Sequence, residues 1–240
     1  MSGHNKWSKI KNKKGAADAK RAGAFTKIAK AIAVAAREGG GDMSMNFKLR
    51  IAVDSAKAAN MPNDNIDRAI KRGTGEGEGN VMVEGLYEAY GPKGVAFVIS
   101  TLSDNKNRTV AEVQTALKKS GATPAEQGSV LFNFDRKVVV VVARNAEVVS
   151  PEDMEIALIE AGAEDIEESD EGWIVTGAID TFKALIDALE AMNIKPEEAS
   201  LQYVSKMPME VDEEAHEKVE KITDALEDLD DVQEVFTNIK

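Results

Sequence analysis

Five lysines, Lys6, Lys9, Lys11, Lys13 and Lys14, crowd around Trp7 in the opening stretch "SGHNKWSKIKNKK". Lysines at this density neutralise phosphates without reading bases, and each contact adds to the salt dependence of binding. An indole among them can stack on an exposed base, a contact worth about 1–3 kcal/mol. Further cations follow at helical spacing. Lys20, Lys27, Lys30 and Arg37 are separated by 7, 3 and 7 positions, which places them on one helix face. Arg68, Lys71 and Arg72 form another cluster in "MPNDNIDRAIKRG". Together these residues describe a phosphate-gripping surface. In the plainer alternative, Trp7 tucks against the helices while the lysines stay solvated.

The stretch "SDNKNRT" at 103–109 is a second candidate. It joins a strand to a helix start, where free amides and the positive end of the helix dipole favour an anion. Lys106 and Arg108 add charge, and Asn105 and Asn107 add donors suited to phosphate oxygens. The same residues also read as a capping turn, with Asp104 or Asn107 accepting from the first helix amides. Both readings can hold at once.

Catalytic constellations are scarce. His216 in "DEEAHEKVE" echoes half of a zinc-protease helix, but Glu220 stands where the second histidine belongs. That segment reads as a solvated acidic face. "GTGEGEG" at 73–79 has the glycines of a phosphate loop, yet it follows a helix, lacks the lysine and carries Glu76 and Glu78, which repel phosphate. It reads as a linker. Asp64 and Asp67 stand at a helix start, where cap and dipole roles suit them better than a metal. The chain has no cysteine, which excludes disulfides, thiolate metal sites and cysteine nucleophiles. No catalytic residue, metal or cofactor is expected. A phosphate-handling enzyme built on the 103–109 loop is the competing reading from another class.

Charge balance locates the interface. Residues 1–72 hold 16 Lys/Arg against 6 Asp/Glu, a net of +10, whereas the whole 240-residue chain carries −12. The remainder is therefore strongly acidic, and the asymmetry points to an electrostatic role for the basic part. At 43% hydrophobic and 30% charged residues, the composition is that of a globular protein with a mostly aliphatic core. The aliphatic runs "VVVVVA" and "AIAVAA" are too short to span a bilayer. The basic, alanine-rich start loosely suggests a transit peptide, but it is rich in lysine rather than arginine and serine. A cytoplasmic location with no membrane partner is expected.

The elements that position these residues follow from periodicity. Phe25, Ile28 and Ile32 keep the rhythm of an amphipathic helix that "GGGD" ends. A second helix is expected over 44–60 and a third from "PND" to Arg72, with Ile66, Ala69 and Ile70 opposite the basic face. Beyond the linker, "VMVEGLYEAY" and "GVAFVISTL" read as strands paired across the Gly91–Gly94 turn. A helix follows over 107–120, with Val110, Val113 and Leu117 inward, and then a strand, "SVLFNF". From Lys137 the order is β-α-β-β-α-β, the ferredoxin-like order. A helix at about 212–229 and a strand "VQEVFTN" close the chain and return to the 80–130 unit. The expected class is α+β. Its domains are a basic helical one at 1–79, a discontinuous α+β one at 80–134 plus 205–240, and an acidic ferredoxin-like insertion at 135–204. RNA-recognition modules share that last topology, but residues 131–204 hold 5 basic and 17 acidic residues and lack a basic-aromatic sheet signature. A protein partner fits the acidic part better than RNA.

Laid out in this way, the sequence closely resembles the YebC family, which includes bacterial YebC proteins and the mitochondrial translational activator of cytochrome oxidase. The resemblance is carried by "SGHNKWSKIKNKK", "FTKIAKAIAVAAREGG", "MPNDNIDRAIKRG", "YEAYGPKGVAFVI", "SDNKNRT", "GSVLFNF" and "LEDLDDVQEVFTN". One departure is "GATPAEQGSV", where the family usually has a glycine-leucine-glycine stretch. The resemblance implies three domains, one helical and two mixed, and a non-enzymatic regulator of gene expression. It implies either promoter DNA, bound by a transcriptional regulator, or ribosomal RNA, met by a translation factor.

Overall fold

The computed structural model describes residues 18–76, 82–144 and 150–240, with the backbone alone for residues 18–24, Phe47 and Ala58. Helices α1 (Asp18–Gly39), α2 (Phe47–Ala58) and α3 (Asn63–Gly73) come first. The apolar rhythm of α1 is realised. Ile32 is fully buried, and Phe25 and Ile28 pack onto a cluster shared with Leu49 and Val53 of α2 and Ile66 and Ala69 of α3. Buried Asn46 fixes where α2 begins. Its side-chain oxygen accepts from the Leu49 amide at 3.1 Å, and its amide nitrogen donates to the carbonyls of Ala35 and Gly40, both at 2.7 Å. One side chain thus ties the end of α1 to the start of α2, and α2 is shorter than the 44–60 expected.

Gly73 belongs to α3 rather than to a linker. A Cβ there would lie 2.2 Å from the Ala33 carbonyl oxygen and 2.7 Å from the Ala36 Cβ, so only glycine lets α3 lie this close to α1. Glu78 and the rest of 77–81 lie outside the described residues.

Strands β1 (Val83–Tyr90) and β2 (Ala96–Ser103) form the expected antiparallel pair. Helix α4 (Lys106–Ser120) ends at Gly121 in the left-handed conformation, and short β3 (Thr123–Ala125) follows. The strand expected over "SVLFNF" is not formed. Residues Leu131–Asn133 make a 3-10 turn, and β4 (Phe134–Ala143) starts only after it. The reason is local. The buried carboxylate of Glu88 accepts from the amides of Val130 at 2.6 Å and Leu131 at 2.8 Å, which removes donors a strand would need.

The chain continues through α5 (Pro151–Glu160), β5 (Ala163–Ser169), β6 (Gly172–Gly177), α6 (Phe182–Ala191), β7 (Glu198–Ser205), α7 (Glu213–Glu227) and β8 (Val232–Thr237). Two four-stranded sheets result, with orders β3-β1-β2-β8 and β5-β6-β4-β7. Every pairing in the second is antiparallel. In the first, Val113 and Leu117 of α4 and Val219, Ile222 and Leu226 of α7 bury against Phe97, Ile99 and Val235. The closing helix and strand therefore return to the sheet of β1 and β2, as their apolar stripes required. In the second, the valine run Val138–Val142 is buried throughout, as are Met154, Leu158, Leu185 and Leu189 of its helices. The described chain divides into two compact units, Phe134–Lys206 and the stretch ending at Asn133 joined by Met207–Ile239. The architecture is mixed α/β, with N-terminal helices and two sheets.

Candidate nucleic-acid interface

Helix α3 presents its cations to solvent. Arg68, Lys71 and Arg72 are exposed, while Ile66 and Ala69 on the opposite side are buried. Lys71 and Arg72 occupy the last turn, where cations also offset the negative helix end. Arg68 bends back along its own helix, donating from Nε to the Asp64 carbonyl at 3.1 Å and from Nη2 to the Asn65 side chain. Its guanidinium still faces water. Asp64 sits in the first turn, the dipole role expected of it. Lys20 lies near the start of α1. Lys6, Trp7, Lys9, Lys11, Lys13 and Lys14 lie outside the described residues.

Two other cations are tied inward, contrary to the outward basic face read from their spacing, Lys30 being buried and Lys27 half-buried. Lys30 is 9% exposed. Its ammonium stands 2.8 Å from the Asp231 carboxylate and also donates to the carbonyls of Asp230 at 2.9 Å and Leu102 at 3.3 Å. Lys27 donates to the carbonyl of Glu227, the last residue of α7. The spacing did place these lysines together, but the last turn of α7 and a buried carboxylate offer a denser array of acceptors than water does. Arg37 donates to the Met82 carbonyl at 2.8 Å. The face that spacing presents as one phosphate-binding surface is partly a strut between α1 and the sheet-bearing part of the same unit.

The 103–109 turn does hold an anion, and it is the chain's own. Arg108 Nη2 reaches Asp231 at 2.8 Å and Asp104 at 3.1 Å. Ser103 and Thr109 donate their hydroxyls to the same Asp231 oxygen at 2.8 and 2.9 Å. Burial pulls the Asp231 pKa upward, but hydrogen bonds from Lys30, Arg108, Ser103 and Thr109 outweigh it and hold the carboxyl well below its ordinary value. The charge is felt nearby too. Burial first, and Asp231 second, push the Tyr87 phenol up. Neither expected cap residue is used. Asn105 is the N-cap, accepting from the Arg108 amide at 3.2 Å, because the Asp104 carboxylate is drawn to the Arg108 guanidinium. Asn105 and Arg108 are thus committed internally. Lys106 and Asn107 face solvent.

Sequence reasoning missed Asp231 and Glu88, the two buried carboxylates that organise these turns. The one trace of Asp231 was an Asp-Asp pair immediately before an apolar strand, where one of the two must enter the core edge. Among the described residues, no group of three or more His, Cys, Asp or Glu side chains is placed to hold a metal ion. His216 instead lies 3.8 Å from Glu220 on the same helix. No described helix is long and apolar enough to cross a membrane.

Comparison with known proteins fits this layout. The model of the TACO1/YebC N-terminal domain matches residues 5–76, and that of the TACO1/YebC second and third domain matches residues 82–239. A probable transcriptional regulatory protein of Brachyspira hyodysenteriae is 45% identical, over 100% of this chain and 97% of its own length. One from Pseudothermotoga lettingae is 46% identical over 100% of this chain and 94% of its own. Among solved structures, a conserved hypothetical protein of Aquifex aeolicus superposes with a TM-score of 0.83 at 38% identity, covering 93% of this chain and 91% of that one. With the resemblance of its motifs matched by both family models end to end, the chain belongs to the YebC/TACO1 family.

Proposed function

We propose that this chain regulates gene expression by binding nucleic acid through its basic N-terminal part, most directly as a DNA-binding regulator of transcription. The observation that carries the reading is the exposed cationic face of α3, Arg68, Lys71 and Arg72, within a segment of net charge +10. Lys6, Trp7, Lys9, Lys11, Lys13, Lys14 and Lys20 belong to the same basic segment and are proposed to contact the same nucleic acid. Lys27, Lys30 and Arg108 are excluded from it, because their donors already serve Glu227 and Asp231. The description of the bacterial relatives as probable transcriptional regulatory proteins supports the choice of DNA. The second reading, contact with ribosomal RNA by a translation factor, uses the same cations and is favoured by the mitochondrial branch of the family. In-cell crosslinking followed by sequencing of the bound nucleic acid separates the two. Promoter DNA is expected, and recovery of ribosomal RNA alone would replace transcription with translation.

The same proposal assigns three domains, at 1–79, at 80–134 plus 205–240, and at 135–204. It reads the last as a ferredoxin-like insertion, supported by its antiparallel order β5-β6-β4-β7. That acidic insertion faces protein rather than nucleic acid, since its charge repels phosphate. No cofactor is invoked, and the location proposed is cytoplasmic.

A further inference from the structure

Helix α5 is apolar on two sides. Met154 and Leu158 are fully buried, whereas Ile156 is 56% and Ile159 62% exposed. A helix with isoleucines on its outer face normally buries them against something. Carboxylates frame the pair: Glu152 and Glu160 stand four residues before and after Ile156, and Glu155 four residues before Ile159, so each glutamate neighbours an isoleucine on the helix surface. Four cations of the same unit, Lys137, Arg144, Lys183 and Lys206, pair with carboxylates outside this helix.

We propose that this face of α5 docks a basic amphipathic helix from a protein partner, one that inserts apolar side chains over Ile156 and Ile159 and sets lysines or arginines against Glu152, Glu155 and Glu160. The inference deepens the protein-facing role given to the acidic insertion and rests on it. The sign of the frame selects the occupant. Nucleic acid and anionic lipid are repelled by three glutamates, and an identical acidic unit would meet like charge. A partner of opposite charge gains steering from the field and affinity from covering the isoleucines.

The test uses the full chain and a fluorescein-labelled synthetic helix with leucines on one face and lysines on both flanks, read by anisotropy. A peptide of the same composition with scrambled order is the control. The patterned peptide should bind at least about tenfold more tightly than the scrambled one. Ile156→Ser with Ile159→Ser should erase that difference while leaving the circular dichroism and thermal unfolding unchanged. Glu152→Gln, Glu155→Gln and Glu160→Gln should weaken binding and flatten its salt dependence. Equal affinity for both peptides would overturn the proposal. So would patterned binding that ignores the isoleucine variants, although the protein-facing role would then survive at another surface. No binding to either peptide would remove both. Tighter peptide binding after Lys9, Lys11, Lys13 and Lys14 are changed to Gln would name the chain's own basic segment as the occupant, which also overturns it.

Discussion

A carboxylate only 2% exposed must either be neutral or be surrounded by donors. Asp231 takes the second course, with Lys30, Arg108, Ser103 and Thr109 as its donors. Removing its charge leaves Lys30 buried without a counter-ion, so Asp231→Asn should cost about 3–5 kcal/mol in urea unfolding. The Arg108 contact contributes the smaller part, because that side chain is nearly half exposed and screened by water. The pH dependence has a definite sign. The folded pKa of Asp231 is depressed, so its stabilisation is complete above the ordinary aspartate value of about 3.9 and is lost as pH falls through the folded value below that. Wild type and Asp231→Asn should therefore differ by a constant amount from neutral pH down to about pH 5, and converge in more acid solution. A gap that stays constant in strong acid would mean that the carboxylate is not what stabilises the turn. None of this was legible at residue level, because the sequence shows that Lys30 and Asp231 exist but not that they meet across 201 positions.

Elements were the most legible scale, since apolar periodicity reports a face whether or not the partner is known. The faces of α1, α3, α4 and α7, the hairpin of β1 with β2, and the return of β8 all follow from it. Failures came where a side chain competes with the backbone pattern. Glu88 takes the amides that "SVLFNF" would have offered to a neighbour, and Asn46 moves the start of α2. Gly73 misled in another way, because a glycine that permits close helix packing looks the same in sequence as one that loosens a linker. The distinction is testable. Gly73→Ala improves helix propensity by roughly 1 kcal/mol, so a solvent-exposed helix end would gain stability. Here the added Cβ meets the Ala33 carbonyl, and overpacking should instead destabilise the protein by about 1–3 kcal/mol in thermal or urea unfolding.

At the scale of the whole molecule, the segregation of charge was visible from the start, but which cations are free to act was not. Reversing Arg68, Lys71 and Arg72 to Glu should weaken binding to duplex DNA and reduce the salt slope by about 0.9 for each phosphate no longer neutralised. Lys30→Gln should leave that slope unchanged while lowering stability, which separates the two kinds of cation in one pair of titrations. An unchanged slope in the triple variant would move the interface off α3. The pairing of β2 with β8 has a further consequence, for the order in which the protein is made. During synthesis Lys30 and Arg108 emerge long before Asp231, and β2 waits as an open sheet edge while the whole of Phe134–Lys206 is translated and can fold. Until the last strand arrives, Lys30 lacks its counter-ion Asp231 and β2 carries an unpaired edge, the feature that invites aggregation. A message truncated after Lys206 would therefore yield a finished second unit tethered to an unfinished first one. Its fate should be set by chaperones and proteases rather than by any change in its basic N-terminal part.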